Sequence, residues 1–496
     1  MVKQLLRQSA PRLAPTVKRR TRFGEQTFGN NIQFTIDGEE TFKKIYASLY
    51  EAQKCILIAN YDIDPQLSFV RSLENSAGGD ANEYENYPLY KLLLDKAENG
   101  VEVKVIVWEP RPILRLLPGA DERGIDGRAE QVQRVYEIAK RRGLENLLVK
   151  VDETSPSLTS AHHEKIIVVD NIIGFCGGLD LSKGKWDTSD HEYMNPLRDR
   201  DAEPWHDVQL FARGPIVWDL VYHFHQRWMF PSLKSASKIR KMRIDSNYGT
   251  RGREGKTQAI ALRTWKELNR NGGIQSWYAS MFRKAKDSIY IENQFPFQDS
   301  FATELLLKSL HNRPSLKVII VGPMEPNLPG FVGSMIANMS VNDIRSNLAR
   351  LRSTGGNRVG TYSLIAQDRA VPERRRQIYV HSKVMIVDDK WVTVGSANID
   401  KNGFKDSSEL NIGLTSSDLA INLRTRLWAE HLGEEKVNFV SFEEGFDKWN
   451  DLALENGRRI KDNQLIKGHV YSYNFEEMDC PQPYVGAKKS TQFALL

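Results

Sequence analysis

Residues 162–180 read HHEKIIVVDNIIGFCGGLD, and residues 379–400 read YVHSKVMIVDDKWVTVGSANID. Each stretch places a histidine two residues before a lysine, then four apolar residues, then an aspartate. The first copy holds His163, Lys165 and Asp170; the second holds His381, Lys383 and Asp388. A small pair follows in each, Gly177-Gly178 or Gly395-Ser396, with Asp180 or Asn398 two positions further on. The apolar, β-branched runs fit buried strands. Residues i and i+2 of a strand share a face, so each strand aims an imidazole and an ammonium at one place. A single copy is weak, since strand ends often carry a solvated His or a snorkelling Lys. Two copies 218 residues apart restrict the chain to a duplicated architecture.

The flanks repeat as well. Residues 39–64 (EETFKKIYASLYEAQKCILIANYDID) match residues 276–297 (SWYASMFRKAKDSIYIENQFPF), each an amphipathic helix and then a strand. Residues 88–110 and 304–323 give a second helix, turn and strand. After the His-Lys strands, HDVQLFARG and SELNIGLTS each begin around an acid, Asp207 or Glu409, and lead into a helix rich in Trp and His. Alternating strands and helices predict an α/β fold of two similar lobes, each a sheet flanked by helices, with the active site at the lobe interface. The 496 residues exceed what one compact core usually takes. The expected order is a basic tail (1–29), an N-terminal lobe (30–233), a linker or long loop (234–272), a C-terminal lobe (273–437) and a C-terminal extension (438–496).

The net charge of +6 is compatible with an anionic substrate or a membrane surface without being diagnostic of either. Three scattered cysteines argue against a disulfide framework or a zinc cluster. No apolar run approaches the roughly 20 residues that span a bilayer, and the basic N-terminus lacks the apolar core of a secretory signal. Cytoplasmic residence with peripheral membrane contact is the expectation; export as an effector by a signal-independent route stays open.

HHEKIIVVD and VHSKVMIVD both fit the HxKxxxxD signature of the phospholipase D superfamily. GGLDLSKGKWD, PWHDVQLFARG, SIYIENQF and the run from GSANID through SSELNIG resemble its compact phospholipid-cleaving members, over roughly residues 30–470. An amino-terminal targeting domain is not expected. The resemblance implies a phosphodiester cleaved through a phosphohistidine, with neither cofactor nor metal. His163 is the implied nucleophile and His381 the acid and base; spacing alone does not separate the two roles. Neutral imidazole attacks phosphorus, and a second, protonated imidazole delivers a proton to the poor leaving alcohol. Lys165 and Lys383 would clamp the phosphate oxygens, with Asn398 and Ser396 adding neutral donors. Asp180 stands where the second copy has Asn398, and an ionised carboxylate cannot donate to phosphate. Asp207 and Glu409 are read as carboxylate partners of the imidazoles. Asp170 and Asp388 count among the signature residues, although an acid that fastens backbone at a hairpin turn is the favoured reading of both. Gly178, Trp186 and Gln294 are candidates for substrate contact, as are Trp205, Tyr290 and Phe295 as pocket walls, each weighed against ordinary core packing.

Expected partners are a phospholipid surface and water or a primary alcohol as acceptor; nucleic acid is not expected, and the chain is expected to be a monomer. The competing functions are cardiolipin-synthase-like phosphatidyl transfer, DNA phosphodiester cleavage, and an inactive lipid-binding protein. Two complete His-Lys pairs speak against the last.

Overall fold

The computed structural model describes residues 19–72, 87–109, 128–153, 160–200, 202–230, 253–266, 272–324, 331–437 and 441–473. The expected basic tail up to residue 18, most of the polar stretch after residue 230, and the segment from residue 474, with Cys480, lie outside the described residues.

The first half runs β1 (Arg19–Thr21), β2 (Gly24–Ile36), α1 (Asp37–Tyr50), β3 (Cys55–Asn60), α2 (Leu89–Glu98), β4 (Glu102–Trp108), α3 (Arg128–Arg141), β5 (Leu147–Asp152), β6 (Ile166–Val169), β7 (Ile173–Gly177), β8 (Trp205–His206), β9 (Val208–Arg213) and α4 (Val217–Met229). The second half runs β10 (Thr257–Thr264), α5 (Gly273–Lys284), β11 (Ser288–Asn293), α6 (Ser300–Asn312), β12 (Lys317–Val321), α7 (Phe331–Gly355), β13 (Val359–Gln367), β14 (Arg375–Val380), β15 (Lys383–Val387), β16 (Trp391–Gly395), β17 (Glu409–Thr415) and α8 (Ser417–Leu432). Helix α9 (Phe442–Lys461) and strand β18 (Val470–Ser472) follow.

The strand pairings spell out the duplication. From one edge to the other the order is β5-β4-β3-β6-β7-β9-β2-β10-β17-β16-β15-β11-β12-β13. It is palindromic: β2 and β10 meet at the centre, and each strand outward has its repeat at the mirrored place. The pairs β3–β4–β5 and β11–β12–β13 are parallel and the remainder of this order is antiparallel, as expected where helices form the crossovers. In α1, Phe42, Ile45 and Leu49 recur at helical spacing and bury against the first half's sheet with residues of α2 and α3. Residues of α5, α6 and α7 cover the matching face of the second half. A third core holds α4, α8 and strand residues of both halves, so the lobes share interior.

Three boundaries differ from expectation. Thr257–Thr264, placed in the linker, is β10 at the sheet centre; its half-polar run follows a Gly-rich polar stretch and gives little local signal. Strand β2 already begins at Gly24, inside the expected tail. The C-terminal extension is integral: β18 pairs with β13, and α9 buries Phe446 and Trp449. Each half also carries a third helix–strand unit, α3–β5 and α7–β13, that the quoted repeats did not include. Among the described residues no helix is long and apolar enough to cross a membrane.

Candidate active site

The two signature segments meet because the lobes exchange short pairings. Just before β6, His162 bridges Ser408 in parallel, and the His163 N–H donates to the Ser408 carbonyl at 2.8 Å. In the other half, Tyr379 and Val380 of β14 pair in parallel with Trp205 and His206 of β8, and the His381 N–H donates to the His206 carbonyl at 2.8 Å. Each histidine is therefore sewn to the segment that precedes the other lobe's acid. The carboxylates end up crosswise. His163 Nδ1 lies 3.1 Å from Glu409 Oε1, and His381 Nδ1 lies 2.7 Å from Asp207 Oδ2. Sequence matching paired these acids with the imidazoles; the exchange between lobes was not in it.

The tautomer of His163 follows from its second contact. Its Nδ1 is also 3.2 Å from the Ser396 carbonyl oxygen. A carbonyl only accepts, so Nδ1 carries the proton and Nε2 keeps its lone pair. The Ser396 hydroxyl donates to Glu409 Oε2 at 2.5 Å and fixes that carboxyl from the far side.

Both lysines are buried beside the histidines. Lys165 Nζ donates to the His163 carbonyl at 2.9 Å and stands 3.4 Å from Asp180 Oδ1. Lys383 Nζ donates to the His381 carbonyl, and at 3.2 Å to Gln294 Oε1. Asn398 Nδ2 donates to the same Gln294 oxygen at 3.2 Å. That oxygen sits where an ammonium and an amide donor converge, the place a non-bridging phosphate oxygen would take. Asp180, the repeat counterpart of Asn398, faces Lys165 and accepts from the Asp62 N–H at 3.1 Å, as a charge partner and turn fastener.

Electrostatics tie the cluster together. Burial, then Lys165 and Lys383, hold the His163 imidazole well below its ordinary value. Burial, Lys383, Lys165, Lys185 and His163 itself do the same to His381, so the two rings belong to one site. Burial raises Asp207 to about 6 and Glu409 to about 8. At neutral pH the carboxyl behind His381 is thus ionised and the one behind His163 is mostly not. Burial depresses Lys383 to about 7 against attraction from Asp207. Its charge is present below that value and lost above it. Competitive inhibition by sulfate, which does not titrate in this range, should therefore weaken as pH rises through about 7. An inhibition constant that stays flat across that pH would contradict this.

Aromatic rings wall the cluster on both sides. The Tyr61 ring lies 5.0 Å from His163 and stacks on Trp108, also at 5.0 Å. Trp205 lies 4.9 Å from His381 and stacks on Tyr379 at 4.8 Å. Tyr61, Trp108 and Tyr379 were not picked out from the sequence. A signal existed for Tyr61, because the repeat aligns ANYD with ENQF and so sets it opposite Gln294.

Other expected contacts are corrected. Asp170 and Asp388 do not reach the cluster. Each opens a three-residue hairpin loop, 170–172 or 388–390, whose first two residues have positive φ, 53° and 54° or 49° and 45°. Asp170 accepts from the backbone N–H groups of Gln53, Lys54 and Cys55, and Asp388 from those of Lys286, Asp287 and Ser288. The signature aspartate thus fastens the neighbouring strand start, not only its own turn. Asp388→Asn keeps the turn and removes the charge; it should destabilise by about 2 kcal/mol, read as a lower unfolding midpoint, with kcat within a few-fold. An unchanged midpoint with lost activity would return Asp388 to the chemistry.

Trp186 is buried in the first half's core and donates to the Phe69 carbonyl at 3.2 Å, so it packs and does not line the site. Tyr290 is likewise buried, with its hydroxyl on Glu292 at 2.6 Å. Gly178 makes room: a Cβ there would stand 2.1 Å from Asp207 Oδ1. A cavity of about 1190 Å³, lined in part by His191, Met194, Arg426 and His469, contains none of the paired groups.

Known proteins resemble this chain over most of its length. A family model described as Phospholipase D matches residues 48–259, and one described as Cardiolipin synthase, PLD-like domain matches residues 278–430. Phospholipase D alpha 1 of Oryza sativa subsp. japonica is 27% identical over 87% of this chain and 69% of its own length. Phospholipase D alpha 2 of Arabidopsis thaliana is also 27% identical, over 87% of this chain and 69% of its own length. Among solved structures, a phosphatidylserine synthase from Haemophilus influenzae Rd KW20 superposes with a TM-score of 0.54 at 12% identity, covering 87% of this chain and 93% of that one. That likeness is one of fold.

Proposed function

Because the chain belongs to the phospholipase D superfamily, we propose that it cleaves the headgroup-side phosphodiester of glycerophospholipids, giving phosphatidic acid and a free alcohol through a phosphohistidine on His163. The observation that carries this reading is the crosswise pair of imidazole–carboxyl couples with two buried ammoniums between them. His163 Nε2 attacks phosphorus, the bond from phosphorus to the headgroup oxygen breaks, and His381 gives that oxygen its proton. Water then loses a proton to His381 and attacks phosphorus, and the N–P electron pair returns to His163. Lys165, Lys383 and Asn398 hold the charge that gathers on the non-bridging oxygens.

The division of roles is supported by the carboxyls. An ionised Asp207 supports a proton on His381 against the burial and lysine charges that hold that imidazole low, while the mostly neutral Glu409 leaves His163 an uncharged nucleophile. The relatives named phospholipase D support hydrolysis. The match of the second half to a cardiolipin synthase-type domain favours, as the second reading, an alcohol in place of water as acceptor.

The test is a headgroup-release panel on vesicles of phosphatidylcholine, phosphatidylethanolamine and phosphatidylglycerol at their surface, with and without ethanol. Release of the headgroup with phosphatidic acid is the expected result, shifting to phosphatidylethanol when ethanol is present. Cleavage of DNA alone, or no turnover of any phosphodiester, would overturn the proposal.

A further inference from the structure

Directly behind the His381–Asp207 pair, four side chains from separate segments close on one point. Asp37 opens α1, His191 comes from the loop between β7 and β8, His206 ends β8, and Glu430 lies in the last turns of α8. Their inner atoms lie within 4.8 Å of one another. His206 Nδ1 is 2.9 Å from Asp37 Oδ1 and 2.9 Å from Glu430 Oε1; His191 Nε2 is 3.4 Å from Asp37 Oδ2 and 3.3 Å from Glu430 Oε1. Ligands at zinc-type bond lengths around a tetrahedral ion stand about 3.3 Å apart.

The outer faces of the two rings are already held. His191 Nδ1 is 2.9 Å from Asp187 Oδ2, and His206 Nε2 is 3.0 Å from Glu292 Oε2. Each outer nitrogen thus carries a proton toward a separate carboxylate, so a neutral ring turns its inner lone pair to the shared centre; with a proton there instead, His191 Nε2 donates to Glu430 Oε1 at 3.3 Å. Carboxylate–histidine pairs of this kind orient metal ligands. A second observation points the same way. Asp37 Oδ2 and His206 Nδ1 are buried without a well-formed hydrogen bond and have charge contacts to the neighbouring ring and carboxylates. Asp37, His191 and His206 are at most 1% exposed. Glu430 and His191 border the cavity of about 1190 Å³, which gives an ion a way in.

We propose that Asp37, His191, His206 and Glu430 form a buried tetrahedral site for a divalent transition-metal ion of the zinc class, clamping the two halves together behind the reaction centre. A donor set of two imidazoles and two carboxylates suits zinc and its first-row neighbours; calcium and magnesium take oxygen shells. Three ligands come from the first half and Glu430 from the second. The Asp37 N–H donates to the Asp207 carbonyl at 2.8 Å, and Asp37 Oδ1 accepts from the Asp207 N–H at 3.2 Å. The ion would therefore fix the backbone that carries His381's partner without touching the phosphate. The rival occupant of the centre is protons on the two imidazoles.

Metal analysis of the untagged full chain separates the two. Wild type should hold about one zinc-class ion per chain after gel filtration. After chelation, reloading with cobalt should give the intense visible bands of a tetrahedral site. His191→Ala and Glu430→Gln should lose both signals, while Asp388→Asn keeps them. A wild type that takes up neither zinc nor cobalt stoichiometrically would overturn the site, whatever the variants do. So would a cobalt spectrum unchanged in His191→Ala and Glu430→Gln.

Discussion

His163→Ala should lose turnover of phosphatidylcholine by about 10⁴-fold or more, since it removes the imidazole proposed to bond phosphorus, whose Nε2 lone pair the Nδ1 contact to the Ser396 carbonyl sets free. His381→Ala should behave differently. With a natural alcohol as leaving group it should lose about 10²- to 10⁴-fold, the usual contribution of a positioned general acid. With a p-nitrophenyl phosphodiester most of that loss should vanish in the first step, because p-nitrophenolate departs without a proton. The second step still needs His381 to deprotonate water, so phosphohistidine should accumulate on His163 and appear as a burst of one product per site. His381 is buried and His163 partly so, and circular dichroism must show each variant folded. Should the activated substrate rescue His163→Ala and leave His381→Ala dead, the two roles are exchanged.

The second large effect concerns the crosswise acids. Asp207→Asn and Glu409→Gln keep size and remove the carboxyl that orients each ring, ionised at Asp207 and mostly neutral at Glu409. Each should lower kcat by about 10²-fold or more with KM little changed. The losses should be non-additive along the crossing: His381→Ala with Asp207→Asn should be hardly worse than His381→Ala alone, and likewise His163→Ala with Glu409→Gln. Measured with the activated substrate, where His381→Ala retains a signal, coupling should follow His381–Asp207 across the lobes. A cycle in which His381 couples to Glu409 and not to Asp207 would contradict the arrangement. Gly178 adds a check on geometry, since any side chain there must push the Asp207 carboxylate away from His381.

The sequence carried what is local. The 3.6-residue spacing of Phe42, Ile45 and Leu49 reads as a helix face, and the β-branched runs after Lys165 and Lys383 read as strands, because side-chain periodicity is set by the backbone geometry of the element itself. Asp170-Asn171 and Asp388-Asp389 read as turns because few residue types accept a positive φ. Repetition then gave two lobes and matched Asp207 with Glu409. Locality also explains the misses. Trp186 lies among motif residues and reads as either a site residue or a core residue, and only packing against Phe69 and Arg71 decides where a large ring goes.

What the chain by itself determined is the pair of α/β halves, their hairpins and the histidine–lysine couples. The tertiary structure alone decided that β10 sits at the sheet centre, that each imidazole takes its carboxyl from the opposite lobe, and that His191, His206, Asp37 and Glu430 converge. The physical reason is that strand pairing uses backbone hydrogen bonds common to every residue. Which segments 170 to 250 residues apart become neighbours is then set by how whole lobes bury their faces, and no short stretch of residues encodes that.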